Sequence, residues 1–260
     1  MKRFLPVYAA CAYVFLYAPL VALGSFSFNS SKIAVWHGFT FEWYRSVLAN
    51  RDLMDGAINS LIIATTATMI STLIGTLAAY GIWKRRAPLL TNSLFLSLVT
   101  PEIVTGVSLL AFFQWVFRFL RVQLGMHTVI LAHVSFCLVF VVIVVLARLR
   151  TFDRALEEAA LDLGANPWQT FRYVTLPMLL PGVVAAALLC FTVSFDDYVI
   201  TSLVAGVNSE TLPMIIYAMA RRGVSPDVNA VSVIITLGLG VLILLAGRFE
   251  QSSIYRGQRA

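Results

Sequence analysis

Six long apolar runs, at about 7–28, 57–83, 92–117, 128–147, 178–200 and 229–247, constrain this chain more than any other feature. Each is close to or above the roughly 20 residues that a helix needs to cross the hydrocarbon core of a bilayer. In that medium every backbone N–H and C=O must find a partner within the protein, which leaves helices or closed barrels. No run alternates apolar and polar residues as a barrel strand does. The expected fold is therefore an all-α membrane protein, a bundle of six transmembrane helices. Composition agrees: 59% of residues are hydrophobic, 12% are charged, and the mean hydropathy is +0.84.

The first run follows Met1-Lys2-Arg3 and could be taken for a signal peptide. It is too long for the apolar core of one and has no convincing small-residue cleavage site, so it reads as a retained span. The net charge of +6 does not call for nucleic acid. With six spans and the N-terminus in the cytoplasm, twelve basic residues fall on the inner side: Lys2, Arg3, Lys84, Arg85, Arg86, Arg148, Arg150, Arg154, Arg172, Arg248, Arg256 and Arg259. Seven fall outside: Lys32, Arg45, Arg51, Arg118, Arg121, Arg221 and Arg222. Basic loops stay cytoplasmic, so this bias places both termini inside.

Several chemistries are missing. Cys11, Cys137 and Cys190 lie in separate runs without zinc or disulfide spacing and read as buried small side chains. His37, His127 and His133 are scattered, and His133 has no metal-ligand partner at helical spacing. No Gly-Lys-Ser/Thr phosphate loop is present, so the chain is not an ATPase, and no catalytic constellation marks it as an enzyme.

Small residues Ala64, Ala67, Ser71, Gly75 and Ala78 recur every three or four positions in the second run, forming a face for close helix packing. The loops differ in character. Asn29 to Gly56 carries Trp36, Phe39, Phe41, Trp43 and Tyr44, aromatics suited to a membrane interface. Asp196 to Val228, with Gly206, Pro213, Gly223 and Pro226, reads as irregular or partly re-entrant.

The polar excursion 148–177 is the most telling. Asp153 can cap a helix over Ala155–Leu163, Gly164 can end it, and Asn166-Pro167 can open a second piece. Leu156, Ala159, Ala160 and Leu163 share one shallow face suited to a groove on another protein. Glu157, Glu158 and Asp162 can meet basic groups at the rim of that groove. An amphipathic helix lying on the bilayer would instead carry Lys and Arg opposite large apolar residues.

Charge at membrane depth costs roughly 2.5–3.5 kcal/mol per residue and marks pathways. Glu102 follows Pro101 inside the third run, where proline should bend the helix, and Asp196-Asp197 closes the fifth. Adjacent carboxylates repel unless a cation or hydrogen bonds stabilise them. An amine would do so, as would simple solvation at an outer mouth, and Glu102 can instead serve as a structural partner for Ser or Thr in the bundle. Trp43 and Tyr44 can cap a cation or merely anchor at the interface.

The sequence Glu158-Ala159-Ala160, three residues, Gly164, nine residues, then Val174-Thr175-Leu176-Pro177 resembles the loop by which bacterial ABC importer permeases engage their ATPase. The wider pattern is similar to the second permease subunit of spermidine/putrescine importers. It comprises Ser27 to Lys32, Gly38-Phe39-Thr40 with Trp43-Tyr44, Pro101-Glu102-Ile103-Val104, His133 to Cys137, Phe191 to Asp197, and Gly223 to Pro226 with Asn229-Ala230.

The resemblance implies a single permease domain over 1–260, with the MetI-like fold of type I ABC importers and a cytoplasmic coupling loop at 148–177. It implies ATPase docking through Glu158, Ala159, Ala160, Asp162, Leu163 and Gly164, and a polyamine pathway along Glu102, Ser194, Asp196, Asp197 and Trp43. A related permease, an ATPase dimer and a periplasmic polyamine-binding protein are the implied partners. ATP and magnesium would be bound by the ATPase, with no cofactor or metal in this chain. Some relatives have Asp where Glu102 stands, which could tune the amine accepted. Another small cation as cargo, or proton-coupled transport through the carboxylates, stays open. An anion site should instead present Arg, Lys or helix N-termini.

Overall fold

The computed structural model describes residues 4–31, 35–85, 87–120, 123–223 and 226–257. Lys2, Arg3, Lys32, Arg86, Arg121, Val224, Ser225 and Arg259, used in the reading above, lie outside the described residues. Among the described residues all regular structure is helical, apart from one bridge between Asn29 and Phe39. In chain order the helices are α1 (Phe4–Phe26), α2 (Glu42–Ala49), α3 (Arg51–Arg85), α4 (Pro88–Val99), α5 (Glu102–Leu120) and α6 (Met126–Arg150). Then come α7 (Ala155–Asp162), α8 (Pro167–Thr170), a π-helical turn (Phe171–Thr175), α9 (Leu176–Asp196), α10 (Val199–Val204), α11 (Leu212–Arg221) and α12 (Pro226–Gly257).

Five described segments are long and apolar enough to cross a membrane: Pro6–Phe26, Arg51–Arg85, Glu102–Phe119, Met126–Arg150 and Pro167–Asp196. The described apolar part of α12, Pro226–Val241, is shorter. The third run differs from expectation. Thr100 is extended and Pro101 follows it, so the run is two helices, α4 and α5, rather than one bent helix. Proline disfavours helical geometry in the residue before it, and its ring has no N–H to continue the ladder. The fifth run also stops short of 200: α9 ends at Asp196, and Asp197 is extended. Beyond it, the stretch expected to be irregular or partly re-entrant holds two short helices, α10 and α11.

The chain divides into two compact units, residues 1–57 with 212–242 and residues 58–211 with 243–260. In the first, α1 exposes Val7, Tyr8, Phe15 and Leu16 on different sides, as a helix solvated by lipid leaves them. The segment after α1 is stapled by Asn29, which is buried: its amide donates to the Val35 carbonyl at 2.8 Å and its Oδ1 accepts from the His37 N–H at 3.0 Å. Beside it Phe28 stacks on Phe39, with Phe41 edge-on to Phe28 and Tyr44 tilted against it.

The second unit is built on α6. Val141, Val142, Val145 and Leu149 of α6 are buried with Ala79 and Trp83 of α3 and with Leu179, Ala186 and Cys190 of α9. The small-residue face of α3 does what its spacing implies. Ala64, Ala67 and Ser71 are fully buried, and the Ser71 hydroxyl donates to the Val134 carbonyl at 3.3 Å. At Gly75 an added Cβ would sit 2.7 Å from Val141 Cγ1, so glycine is what lets α3 and α6 approach. Cys137 and Cys190 are buried as expected and face each other across α6 and α9, whereas Cys11 is exposed.

Candidate functional site

Two assemblies of polar residues lie in the second unit, at opposite ends of α9. The first is the loop after α6. The Asp153 carboxylate accepts the Ala155 N–H at 3.0 Å, fixing the start of α7. At its other end Gly164 takes φ +90°, and the Gly164 and Ala165 N–H groups donate back to the Leu161 and Ala160 carbonyls at 2.9 and 3.0 Å. That is a Schellman closure, which needs a residue without Cβ at this position. Asn166 and Gln169 form a reciprocal capping box at 2.9 Å each, with Pro167 as the first helical residue. The π-helical turn then carries the chain into α9. Pro177 cannot donate one turn back, and its ring crowds that carbonyl, which accounts for the widened turn just before it.

Of the residues expected to dock a partner, Glu158, Ala159, Asp162, Leu163 and Gly164 are exposed and Ala160 is half-buried. Leu163 is 90% exposed, a large apolar side chain with nothing from its own chain to cover it. Glu157 departs from expectation: it does not face outward with its neighbour but is only 3% exposed. Successive helical residues point about 100° apart, so only one of the two glutamates can lie on the outer face. Glu157 Oε1 accepts from Tyr80 Oη at 3.0 Å and Thr175 Oγ1 at 2.5 Å, and Oε2 pairs with Lys84 Nζ at 2.8 Å. Burial pushes its carboxyl upward, but the bonds from Lys84, Thr175 and Tyr80 outweigh this and hold it below the usual carboxylate range. Nearby, the Arg154 guanidinium lies 4.3 Å from the centre of the Trp83 ring and donates to the Trp83 carbonyl at 3.0 Å.

The second assembly is a cavity of about 570 Å³ where α4 gives way to α5 and α9 to α10. Glu102, Asp196 and Asp197 line it together, beside the aromatic rings of Phe136, Phe140 and Tyr198. The α4–α5 break puts Glu102 at the first position of α5 instead of mid-helix. Gly106, one turn on, lets α5 lie close against α10, since a Cβ there would be 2.6 Å from Leu203 Cδ1.

The two aspartates differ. Asp196 is exposed into the cavity. The Asp197 side chain is only 7% exposed, and its Oδ2 accepts the Thr201 N–H at 2.8 Å and the Thr201 hydroxyl at 2.7 Å. His133 is the residue that sequence reasoning passed over. It is 1% exposed, with Nδ1 2.7 Å from Ser194 Oγ and Nε2 2.9 Å from Thr201 Oγ1. One proton order satisfies every partner: Ser194 O–H to Nδ1, Nε2–H to Thr201 Oγ1, and Thr201 O–H to Asp197. Ser194 thus reaches the acidic pair through His133 and is not among the residues lining the cavity. Trp43 belongs to the other unit, where its indole N–H donates to the Asn29 carbonyl at 2.7 Å. Among the described residues no three His, Cys, Asp or Glu side chains converge as metal ligands.

An all-helical membrane bundle with a capped polar loop at one end of α9 and a carboxylate-lined cavity at the other defines a solute permease rather than an enzyme. Residues 71–252 match the family described as "Binding-protein-dependent transport system inner membrane component", and the chain belongs to that family. It is similar to the putrescine transport system permease protein PotI of Escherichia coli K12, 39% identical over 95% of this chain and 92% of the relative. It is also similar to the spermidine/putrescine transport system permease protein PotC of the same organism, 40% identical over 91% and 89% of the two chains.

Among solved structures it resembles a bacterial ABC transporter involved in the import of the acidic polysaccharide alginate. The TM-score is 0.73, with 16% identity over 96% of both chains. The MetNI methionine ABC transporter matches with a TM-score of 0.61 and 19% identity, over 78% of this chain and 99% of that one. Those likenesses bear on the fold alone: it is the permease fold of ABC importers, in an inner-membrane component.

Proposed function

We propose that this permease passes polyamines, with putrescine and spermidine the leading cargoes, along a path that includes the Glu102–Asp196–Asp197 cavity. The grouping of three carboxylates beside aromatic rings in one cavity carries this reading. A polyamine is a flexible apolar chain bearing separated ammonium groups, so it needs dispersed anions with apolar and ring surface between them. Asp196 and Glu102, both exposed to the cavity, are the groups to meet ammonium. Asp197, already bonded to Thr201, contributes charge more than a free ligand atom. The names of the two relatives, at about 40% identity, support the same cargo class.

In this reading a second, related permease completes the path, and a periplasmic binding protein delivers cargo. An ATPase dimer, which holds ATP and magnesium, docks on the exposed face around Glu158 and Leu163. Both termini are cytoplasmic, as the basic-residue bias favours. Cargo moves as the pair of permeases alternates between inward-open and outward-open states by rigid-body motion.

The test is uptake of labelled putrescine by the reconstituted complex, comparing wild type with Asp196→Asn and Glu102→Gln. Each loss of a carboxylate–ammonium contact, about 1.5–3 kcal/mol, should raise KM roughly 10- to 100-fold with assembly intact. Unchanged KM in both would remove the cargo role of the cavity, and uptake without ATP would favour proton coupling instead.

A further inference from the structure

We infer that Glu157 and Lys84 form a positioning key that makes α3, alongside α9, an output lever for ATP-driven motion. This rests on the reading of the α7 segment as the ATPase-docking surface.

The last turns of α3 are attached to the docking loop on every side. Before α7, Arg154 stacks on Trp83 and bonds its carbonyl, and Phe152 meets the same ring edge-on at 5.8 Å. Within α7, Glu157 reaches Tyr80 and Lys84. After α7, Phe171 packs on Tyr80 at 4.7 Å, and Thr175 of the π-helical turn closes on the same Glu157 oxygen as Tyr80. One buried carboxylate thus ties together three elements: α3, α7 and the turn that opens α9. A loop meant only to hand motion forward to α9 needs none of the α3 contacts.

From this anchor α3 runs along α6, with Gly75 against Val141 and Ser71 on the Val134 carbonyl, one residue from His133. Further along, the Asn59 amide donates to the Glu210 carbonyl at 2.9 Å, in the segment beyond α10. A displacement imposed on α7 therefore has two rigid routes to the cavity, α9 directly and α3 through α6.

The test uses the whole transporter, reconstituted with its ATPase, and measures labelled putrescine imported per ATP hydrolysed. Lys84 is half-exposed, so Lys84→Met removes the ion pair with little threat to folding; Glu157→Gln is the second probe and Lys84→Arg the conservative control. The expected result is normal ATPase co-purification with transport per ATP reduced roughly 2- to 30-fold in Lys84→Met and Glu157→Gln, the range that networks between coupled sites command. Lys84→Arg should stay near wild type. An unchanged ratio in both probes overturns the key, and so does loss of ATPase association, which would make the pair a shaper of the docking face only. Glu158→Lys in parallel tests the docking reading itself: if the ATPase stays bound there, that reading fails whatever the ratio shows.

Discussion

Replacing Thr201 by Val tests whether the His133 chain holds the acidic pair in place. Valine has nearly the shape of threonine, so packing is kept and only the hydroxyl is lost. That hydroxyl donates to Asp197 Oδ2 at 2.7 Å and accepts from His133 Nε2 at 2.9 Å. A hydrogen bond to a charged group contributes about 1.5–3 kcal/mol, and stranding a buried donor costs about 1–3 kcal/mol. Two things reduce the sum. Asp197 keeps the Thr201 backbone N–H at 2.8 Å, and hydrogen bonds between membrane helices average nearer about 0.6 kcal/mol. The expected destabilisation is therefore about 1–3 kcal/mol. Equilibrium unfolding in mixed micelles at rising SDS fraction measures it, with Thr201→Ser, which keeps the hydroxyl, as the reference. If Thr201→Val is no less stable than Thr201→Ser within about 0.5 kcal/mol, the usual scatter for neutral changes, the chain does not hold Asp197 and the reasoning fails.

Two other outcomes follow from the geometry. A Cβ on Gly206 would lie 1.8 Å from the Leu124 carbonyl oxygen, so Gly206→Ala must push two backbones apart. A loss of about 1–3 kcal/mol, as in overpacked cores, is expected in the same micelle assay. Because Glu157 is held below the usual carboxylate range in the folded chain, its contribution to stability is present above the unfolded carboxylate pKa. It is lost as pH falls through the lower folded value. Thermal unfolding of Lys84→Met across the acid range should lose this contribution at a higher pH than wild type; coincident profiles would show that Lys84 does not set it.

The apolar runs were legible because a bilayer imposes length and continuity on a helix, and the small-residue face of α3 because 3.6-residue periodicity survives in any environment. The capping of α7 and α8 was legible for the same local reason: Asp153, Gly164 and Asn166-Pro167 act within one turn of themselves. What failed was long-range. His133 looked idle because its partners, Ser194 and Thr201, lie 61 and 68 residues away on other helices. Asp197 looked like a free charge because a carboxylate capping the next helix cannot be told by type from one awaiting a cation. Glu157 and Glu158 are chemically identical neighbours, and only the position of Tyr80 and Lys84 on α3 decides which turns inward. Pro101 was read as a bend, but its effect on Thr100 is enough to end α4 outright.

With the α7 segment docking an ATPase, as proposed above, these buried contacts decide how that loop can move. α9 has 21 residues, so it is about 30 Å long at about 1.5 Å per residue. Tilting it by about 5° about its docking end would carry Asp196 some 2–3 Å, at that same length, enough to take its carboxylate out of contact with an ammonium about 3 Å away. Were α9 to tilt alone, Thr175 would leave Glu157, and were α7 to follow α9, Glu157 would leave Tyr80 and Lys84. Each hydrogen bond to this buried carboxylate contributes about 1.5–3 kcal/mol, as much as the coupling free energy of about 1–3 kcal/mol typical between linked sites. The less costly motion keeps the carboxylate and its three partners together, so α3 and α9 tilt as one body and the flexing falls on segments without such ties. The break at Thr100–Pro101 is one of them, beside Glu102 in the cavity wall. In the proposed reading a tilt of the pair changes the distance from Asp196, at the end of α9, to Glu102, at the start of α5 just past that break, and cargo affinity changes with it.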